Sequence, residues 1–187
     1  MRHLKTSYHQ DTPQAFVASN EATMITRLAT RAIVLRGSDI LMLYTKRYHD
    51  YTLPGGGVDE NEPLEAAFIR ELAEETGAKE IQNIQAFGLY EEYRPWAKDN
   101  FNVMKMLSYC YTCEIAATLG ETAFESHEIN NGMTPMWINI DEAIAHNLAT
   151  IANSDKKGLS IERETFLLKL IKKELITHAV NIKEEIV

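Results

Sequence analysis

Only two cysteines, Cys110 and Cys113, stand among 187 residues, so the chain has no disulfide framework to rely on. They form a C-x-x-C inside a strand pattern, where residues i and i+3 point to opposite faces. That makes a poor metal or redox pair, and two core thiols are the better reading. Long apolar runs are missing as well. About 18 consecutive apolar residues would be needed to span a bilayer, and no such run occurs. Met1-Arg2-His3-Leu4-Lys5 is followed by polar residues, not by the apolar core of a leader, so the cytoplasm is the expected compartment. Positive charge is scarce: 19 Lys and Arg face 27 Asp and Glu, for a net charge of -8. A nucleic-acid-coating surface is disfavoured by that balance, and no nucleic-acid partner is expected. An anionic substrate would be met by a metal ion and a few local basic residues. The six histidines show no H-x-x-x-H spacing, and none is assigned to metal. Internal repeats and low-complexity segments are absent from the sequence.

What is present is concentrated between Leu53 and Ala78. A Pro/Gly turn, Leu53-Pro54-Gly55-Gly56-Gly57, precedes a charged run and then a helix pattern that stops at Gly77. Leu64, Ala67, Phe68, Leu72 and Ala73 fall at helical spacing and form an apolar stripe. Pro63 suits the first turn, where no N–H is required, and Gly77 suits the C-terminal cap. On this helix Glu71, Glu74 and Glu75 fall within roughly a 100° arc. Like charges four residues apart repel by about 0.2–0.5 kcal/mol even when exposed. A cation held between them removes that cost, and an all-oxygen donor set suits Mg²⁺, Mn²⁺ or Ca²⁺ rather than zinc.

The spacing Gly56-x5-Glu62-x7-Arg70-Glu71-Leu72-x-Glu74-Glu75-x-Gly77-Ala78 resembles the Nudix box of the Nudix hydrolase family, in its MutT-like form. One departure is Ala78, where the family prefers a larger aliphatic residue. The resemblance implies an α/β fold, an α/β/α sandwich around a mixed β-sheet. Residues 1–23 are weakly patterned and read as an N-terminal extension that packs on the domain or on a partner subunit, ahead of a single domain (residues 24–187) with the box at residues 56–78. The resemblance also implies hydrolysis of a diphosphate linkage in a nucleoside diphosphate joined to another group, with Mg²⁺ as cofactor and Mn²⁺ as a substitute. The matching metal ligands are Glu71, Glu74, Glu75 and the carbonyl of Gly55. Arg70 matches a position that pairs with a neighbouring Glu and fixes its rotamer, and Glu62 one that holds the loop against the helix. The general base stays open between a box residue, Glu71 or Glu74, and a late-loop residue, Glu125 or Glu128, with Glu128 preferred for its closeness to the Trp137 strand. Many relatives are dimers, so a homodimer with residues 1–23 crossing between subunits is a further expectation. The alternative reading is a non-catalytic nucleotide- or metabolite-binding module. Such modules usually carry a degraded box, and this box is complete.

Elsewhere the patterns are weaker. Residues 25–35 read as a strand buried on both faces and residues 40–44 as its return strand. Residues 81–93 and 101–115 read as strands separated by a polar loop at 94–100. Residues 136–140 read as a short strand, and residues 142–153 as a helix capped by Asp141. A last helix runs from 161 to about 178, capped by Ser160, before a frayed acidic tail. Candidates for contact with a bound nucleotide are Arg47 and Tyr48 before the Gly turn, and Tyr93 and Trp96 after the box, whose rings suit stacking on a base. Neither Glu74 nor Glu75 is expected in the core.

Overall fold

The computed structural model describes residues 1–177. Within them the chain forms two compact units. The first comprises Met1–Ala32, Gly55–Leu72 and Glu80–Glu114, and the second Ile33–Pro54, Ala73–Lys79 and the chain from Ile115 onward.

The first unit is built on a mixed four-stranded sheet in the order β1-β6-β7-β2. Its strands are β1 (His3–Tyr8), β2 (Met24–Ile33), β6 (Gln82–Lys98) and β7 (Phe101–Glu114), and a short helix α1 (Gln14–Ser19) lies between β1 and β2. The residues read as an extension therefore supply an edge strand to their own chain. β1 runs parallel to β6, with Lys5 opposite Tyr90 and Tyr8 opposite Tyr93. The Tyr8 and Tyr93 rings stack at 5.0 Å, and Arg2 Nε donates to the Phe87 carbonyl at 3.1 Å.

β6 and β7 form one long antiparallel hairpin, and the polar loop expected at 94–100 is mostly strand. The reversal takes only Asp99 and Asn100, at φ 54° and 64°. Two consecutive left-handed residues make the tight turn that matches strand twist, and Asp and Asn tolerate that region better than other side chains. Pairing across the hairpin thus overrides the polar composition of Arg94-Pro95-Trp96-Ala97-Lys98.

In the second unit β4 (Asp39–Thr45) is central. It pairs with β3 (Leu35–Arg36), β5 (Asp50–Thr52) and β8 (Met133–Asn139). Ile40, Leu41, Met42 and Leu43 are all buried, so this strand, more than the 25–35 stretch, is covered on both faces. In the earlier stretch Leu28 is exposed, and burial begins at Ala29. Helices α3 (Ser126–Asn131), α4 (Ile140–Asn153) and α5 (Ile161–Ile171) complete the unit. α4 starts earlier than expected: Asn139, not Asp141, is its cap, and its Oδ1 accepts the Asp141 N–H at 2.9 Å. Ser160 precedes α5 without a side-chain capping bond. A π-turn over Lys172–Ile176 follows α5, and the acidic tail lies outside the described residues.

Helix α2 (Leu64–Thr76) carries the box. Ala67, Phe68 and Leu72 are buried, as the apolar stripe requires. The helix stops where Gly77 takes φ 69° and donates its N–H to the Ala73 carbonyl at 2.8 Å. A Cβ at Gly77 would stand 2.3 Å from the Gly120 carbonyl oxygen, so this end is closed by chain as well as by conformation. Gly120 and Ala123 donate to the Gly77 and Glu74 carbonyls, both at 2.7 Å. Ala78 is buried there, where the small side chain fits.

Candidate active site

In the first unit the glycine turn lies along β2. Thr30 N–H donates to the Gly56 carbonyl, Val58 N–H donates to the Leu28 carbonyl, both at 3.0 Å, and Ala29 bridges to Gly57. Gly55 adopts φ 133°, and a Cβ there would overlap the Thr30 carbonyl oxygen at 2.1 Å. Only glycine meets both conditions. A Cβ on Gly56 would fall 2.3 Å from Glu71 Oε2, so the absence of a side chain lets the turn rest directly on that carboxylate.

Arg70 ties these parts together. Its Nε and Nη2 donate to the two oxygens of Glu62, both at 2.9 Å, its Nη1 donates to Glu71 Oε1 at 2.8 Å, and Nη2 also reaches the Gly57 carbonyl at 3.1 Å. A planar guanidinium is suited to such a fork, and a lysine is not. Glu62 accepts a further bond from the Asp59 N–H at 3.0 Å. The Arg70 hydrogen bonds, with that amide second, hold the Glu62 carboxyl down at about 2. The same Glu62 bonds push the Arg70 guanidinium up.

A second guanidinium marks the carbonyl that the box pattern assigns to metal. Arg31 Nη1 donates to the Gly55 oxygen at 2.6 Å and to the Thr30 oxygen at 2.7 Å. A cationic group therefore already sits at this oxygen. With the Glu71 carboxylate against Gly56, the donors are all hard oxygens, which fits Mg²⁺ or Mn²⁺. Among the described residues no three His, Cys, Asp or Glu side chains stand together in metal-holding positions, and Glu71 is turned to Arg70.

Glu74 and Glu75 continue the same helix. Glu74 is half-buried, but Glu75 is only 4% exposed, against the expectation that neither lies in the core. The burial follows from the arc: its Glu75 edge lies on the packed side of α2. Glu128 is also buried. It is the third residue of α3, and its Oε2 accepts the Glu125 N–H at 2.6 Å as half of a capping box.

The four substrate candidates divide. Arg47 and Tyr48 lie together in the turn before β5, with the Arg47 guanidinium 5.4 Å from the Tyr48 ring and bonded to Asn131 Oδ1 at 3.2 Å. Tyr93 and Trp96 occupy opposite faces of the first sheet. Tyr93 is engaged by Tyr8 and by Glu91, to which its hydroxyl donates at 2.5 Å. Trp96 packs on Ala29, Met104 and Met106, and its Nε1 has no hydrogen-bond partner. The residue missed by sequence reasoning is Arg27. Its guanidinium lies 5.9 Å from the Trp96 ring, and its Nη2 is the nearest atom, at 3.9 Å, to a Cβ built on Gly57. The signal was the alternation Arg27-x-Ala29-x-Arg31, which places both arginines on one strand face.

The family model for the NUDIX domain matches residues 25–160. The chain belongs to the Nudix family. The RNA pyrophosphohydrolase of Bartonella henselae is 60% identical over 42 residues, which are 22% of this chain. The chain thus spans about a quarter (24%) of that relative's length. A NUDIX hydrolase from Nitrosomonas europaea shares the Nudix fold at TM-score 0.51 and 16% identity, over 73% of this chain and 95% of its own. A MutT NUDIX hydrolase from Burkholderia pseudomallei aligns at TM-score 0.47 and 22% identity, over 63% of this chain and 85% of its own. Among the described residues no helix is long and apolar enough to cross a membrane.

Proposed function

We propose that this Nudix protein is a divalent-metal-dependent hydrolase that cleaves a diphosphate linkage in a nucleoside diphosphate derivative. The observation that carries the reading is the Arg70 fork, which fastens Glu62, Glu71 and the Gly57 carbonyl around a glycine turn with no room for side chains. Gly55, Glu71, Glu74 and Glu75 are the residues that would hold Mg²⁺ or Mn²⁺. The ion supplies charge neutralisation at the phosphates and a bound water of lowered pKa. Arg70 fixes the Glu71 rotamer, an outer partner that orients a ligand. Glu71, Glu74 and Glu128 are the candidates for proton acceptance. Arg27 and Trp96 offer a cation and an aromatic face for the nucleotide. The name of the Bartonella relative adds RNA to the compounds worth trying, although the charge balance alone argues against it. A homodimer stays a separate proposal, and a monomeric mass at micromolar concentration would rule it out.

The test is a panel of ADP-ribose, NADH, dinucleoside polyphosphates, nucleotide sugars, nucleoside triphosphates and a 5′-triphosphorylated RNA, with Mg²⁺ or Mn²⁺ and products read by mass. One substrate silenced by EDTA is expected. Glu74→Gln should lower turnover about 10²–10³-fold, the usual scale for losing one group that stabilises the transition state. Full activity in that variant sinks the ligand assignment. Silence of the wild type across the panel favours a binding module instead.

A further inference from the structure

The chain entering the glycine turn is held in an unusual way. β5 pairs with β4 along one edge only. On its other edge no strand follows among the described residues, and side chains from α4 and α5 bond the alternate residues 49, 51 and 53. Thr150 Oγ1 donates to the His49 carbonyl at 2.8 Å, and His146 Nε2 lies 2.9 Å from the same oxygen. Asn147 serves Tyr51 twice: its Oδ1 accepts the Tyr51 N–H and its Nδ2 donates to the Tyr51 carbonyl, both at 2.9 Å. Glu164 Oε2 accepts the Leu53 N–H at 2.9 Å. These side chains thus stand in for a neighbouring strand, with the two-residue period of a ladder.

Its position next to the glycine turn separates the last bond from the rest. Leu53 is two residues before Gly55 and is 1% exposed. Glu164 and Asn147 are 0% exposed. The second Glu164 oxygen takes Arg163 Nε at 3.0 Å and Nη2 at 2.7 Å, which locks the carboxylate in one orientation. A buried acid so fixed makes an inflexible acceptor. Nothing in the box pattern points to it.

We infer that Glu164 is a positioning residue for the active-site turn: by fixing the Leu53 amide it sets where Gly55, Gly56 and Gly57 begin. The kinetic part of this inference rests on the hydrolase reading; the structural part does not. Removing Glu164 alone would also take a carboxylate from the buried Arg163 guanidinium, so two double variants make the test. Arg163→Met with Glu164→Gln removes the charges and keeps an acceptor for Leu53. Arg163→Met with Glu164→Leu removes the acceptor at similar size.

Amide NMR of the full chain is the first readout. The Leu variant should show Leu53 exchange faster by roughly tenfold or more, with moved signals for Gly55, Gly56 and Gly57. The Gln variant should keep wild-type values at all four. Identical turn signals in the two variants overturn the inference. On any panel substrate the wild type cleaves, the Leu variant should lose kcat by about 10–100-fold with KM within about threefold, the pattern of misplacement and not of lost binding. An equal kcat in the Leu and Gln variants also overturns it. If the wild type cleaves nothing, the hydrolase reading fails, and the turn signals still decide for or against Glu164.

Discussion

Two Arg-Glu neighbours in sequence, Arg70-Glu71 on α2 and Arg163-Glu164 on α5, bond to each other although adjacent helix residues do not face one another. Their surroundings differ. Arg70 and Glu71 side chains are 30% and 13% exposed, and Arg163 and Glu164 are 3% and 0% exposed. Each pair also has a second carboxylate nearby. Beside Arg70 it is Glu62, which shares the guanidinium and is held down at about 2. Beside Glu164 it is Asp50, which is buried, has an Oδ1 with no hydrogen-bond partner, and is pushed up to about 6, by burial first and by Glu164 second. One excess acid is accommodated by a shared cation; the other keeps its proton up to about pH 6. Water decides between them, since a dry site penalises a second charge far more than a wet one.

The largest effect should come from breaking the dry pair on one side. Arg163→Met takes the guanidinium from the buried Glu164 carboxyl, a loss of about 3–5 kcal/mol by analogy with other broken buried pairs. That corresponds to a fall on the order of 10 °C in melting temperature for a chain of this size. Adding Glu164→Gln should recover most of the loss, because removing both charges is far cheaper than removing one. Arg70→Met, by contrast, leaves its carboxylates partly solvated and should cost less stability than Arg163→Met. Calorimetry on the three variants checks the order, and a larger loss at Arg70 would refute the contrast.

Asp50 comes next. Its folded value lies near 6 against 3.8 for the free side chain. Between about pH 4 and pH 6 the unfolded chain releases this proton while the folded chain keeps it, so stability falls as pH rises through that window. The whole loss is on the order of 3 kcal/mol. Asp50→Asn removes the group, so its stability relative to wild type should grow from pH 4.5 to pH 7.5. Urea unfolding at the two pH values measures the difference, and a pH-independent difference contradicts the reading of Asp50.

The same contrast explains what could be read in the sequence. The box was legible because its residues are bound to one another by local spacing: Glu62, Arg70 and Glu71 lie within three turns of chain, and the helix brings them together. Gly77 as terminator and the buried Ala67, Phe68 and Leu72 follow from the same local rule. Glu164 lies 111 residues from the amide it holds, and Asn147 lies 96 residues from Tyr51, so no periodicity links them. The strand character of Pro95 to Lys98 was hidden for a related reason, since it depends on pairing with β7. Glu75 was placed outside the core because helical spacing gives the arc of the carboxylates but not which edge of it packs inward.

The smallest effect tests the wet pair at its acid limit. Because Glu62 is depressed below the ordinary value of 4.5, its contribution is complete above that value and is lost as pH falls through about 2. Arg70→Lys keeps the positive charge but loses the fork that meets both Glu62 oxygens, so the Glu62 carboxyl should titrate closer to 4.5. Carboxyl NMR from pH 1.5 to pH 6 reads the shift directly. An unchanged Glu62 would show that charge alone, and not the paired hydrogen bonds, holds it down, and the case for geometry in the Arg70 site would weaken with it. A loss of stability at pH 7 that disappears at acid pH is the expected companion of that shift, and the further value of this pair lies in where it places Glu71 and the Gly57 carbonyl.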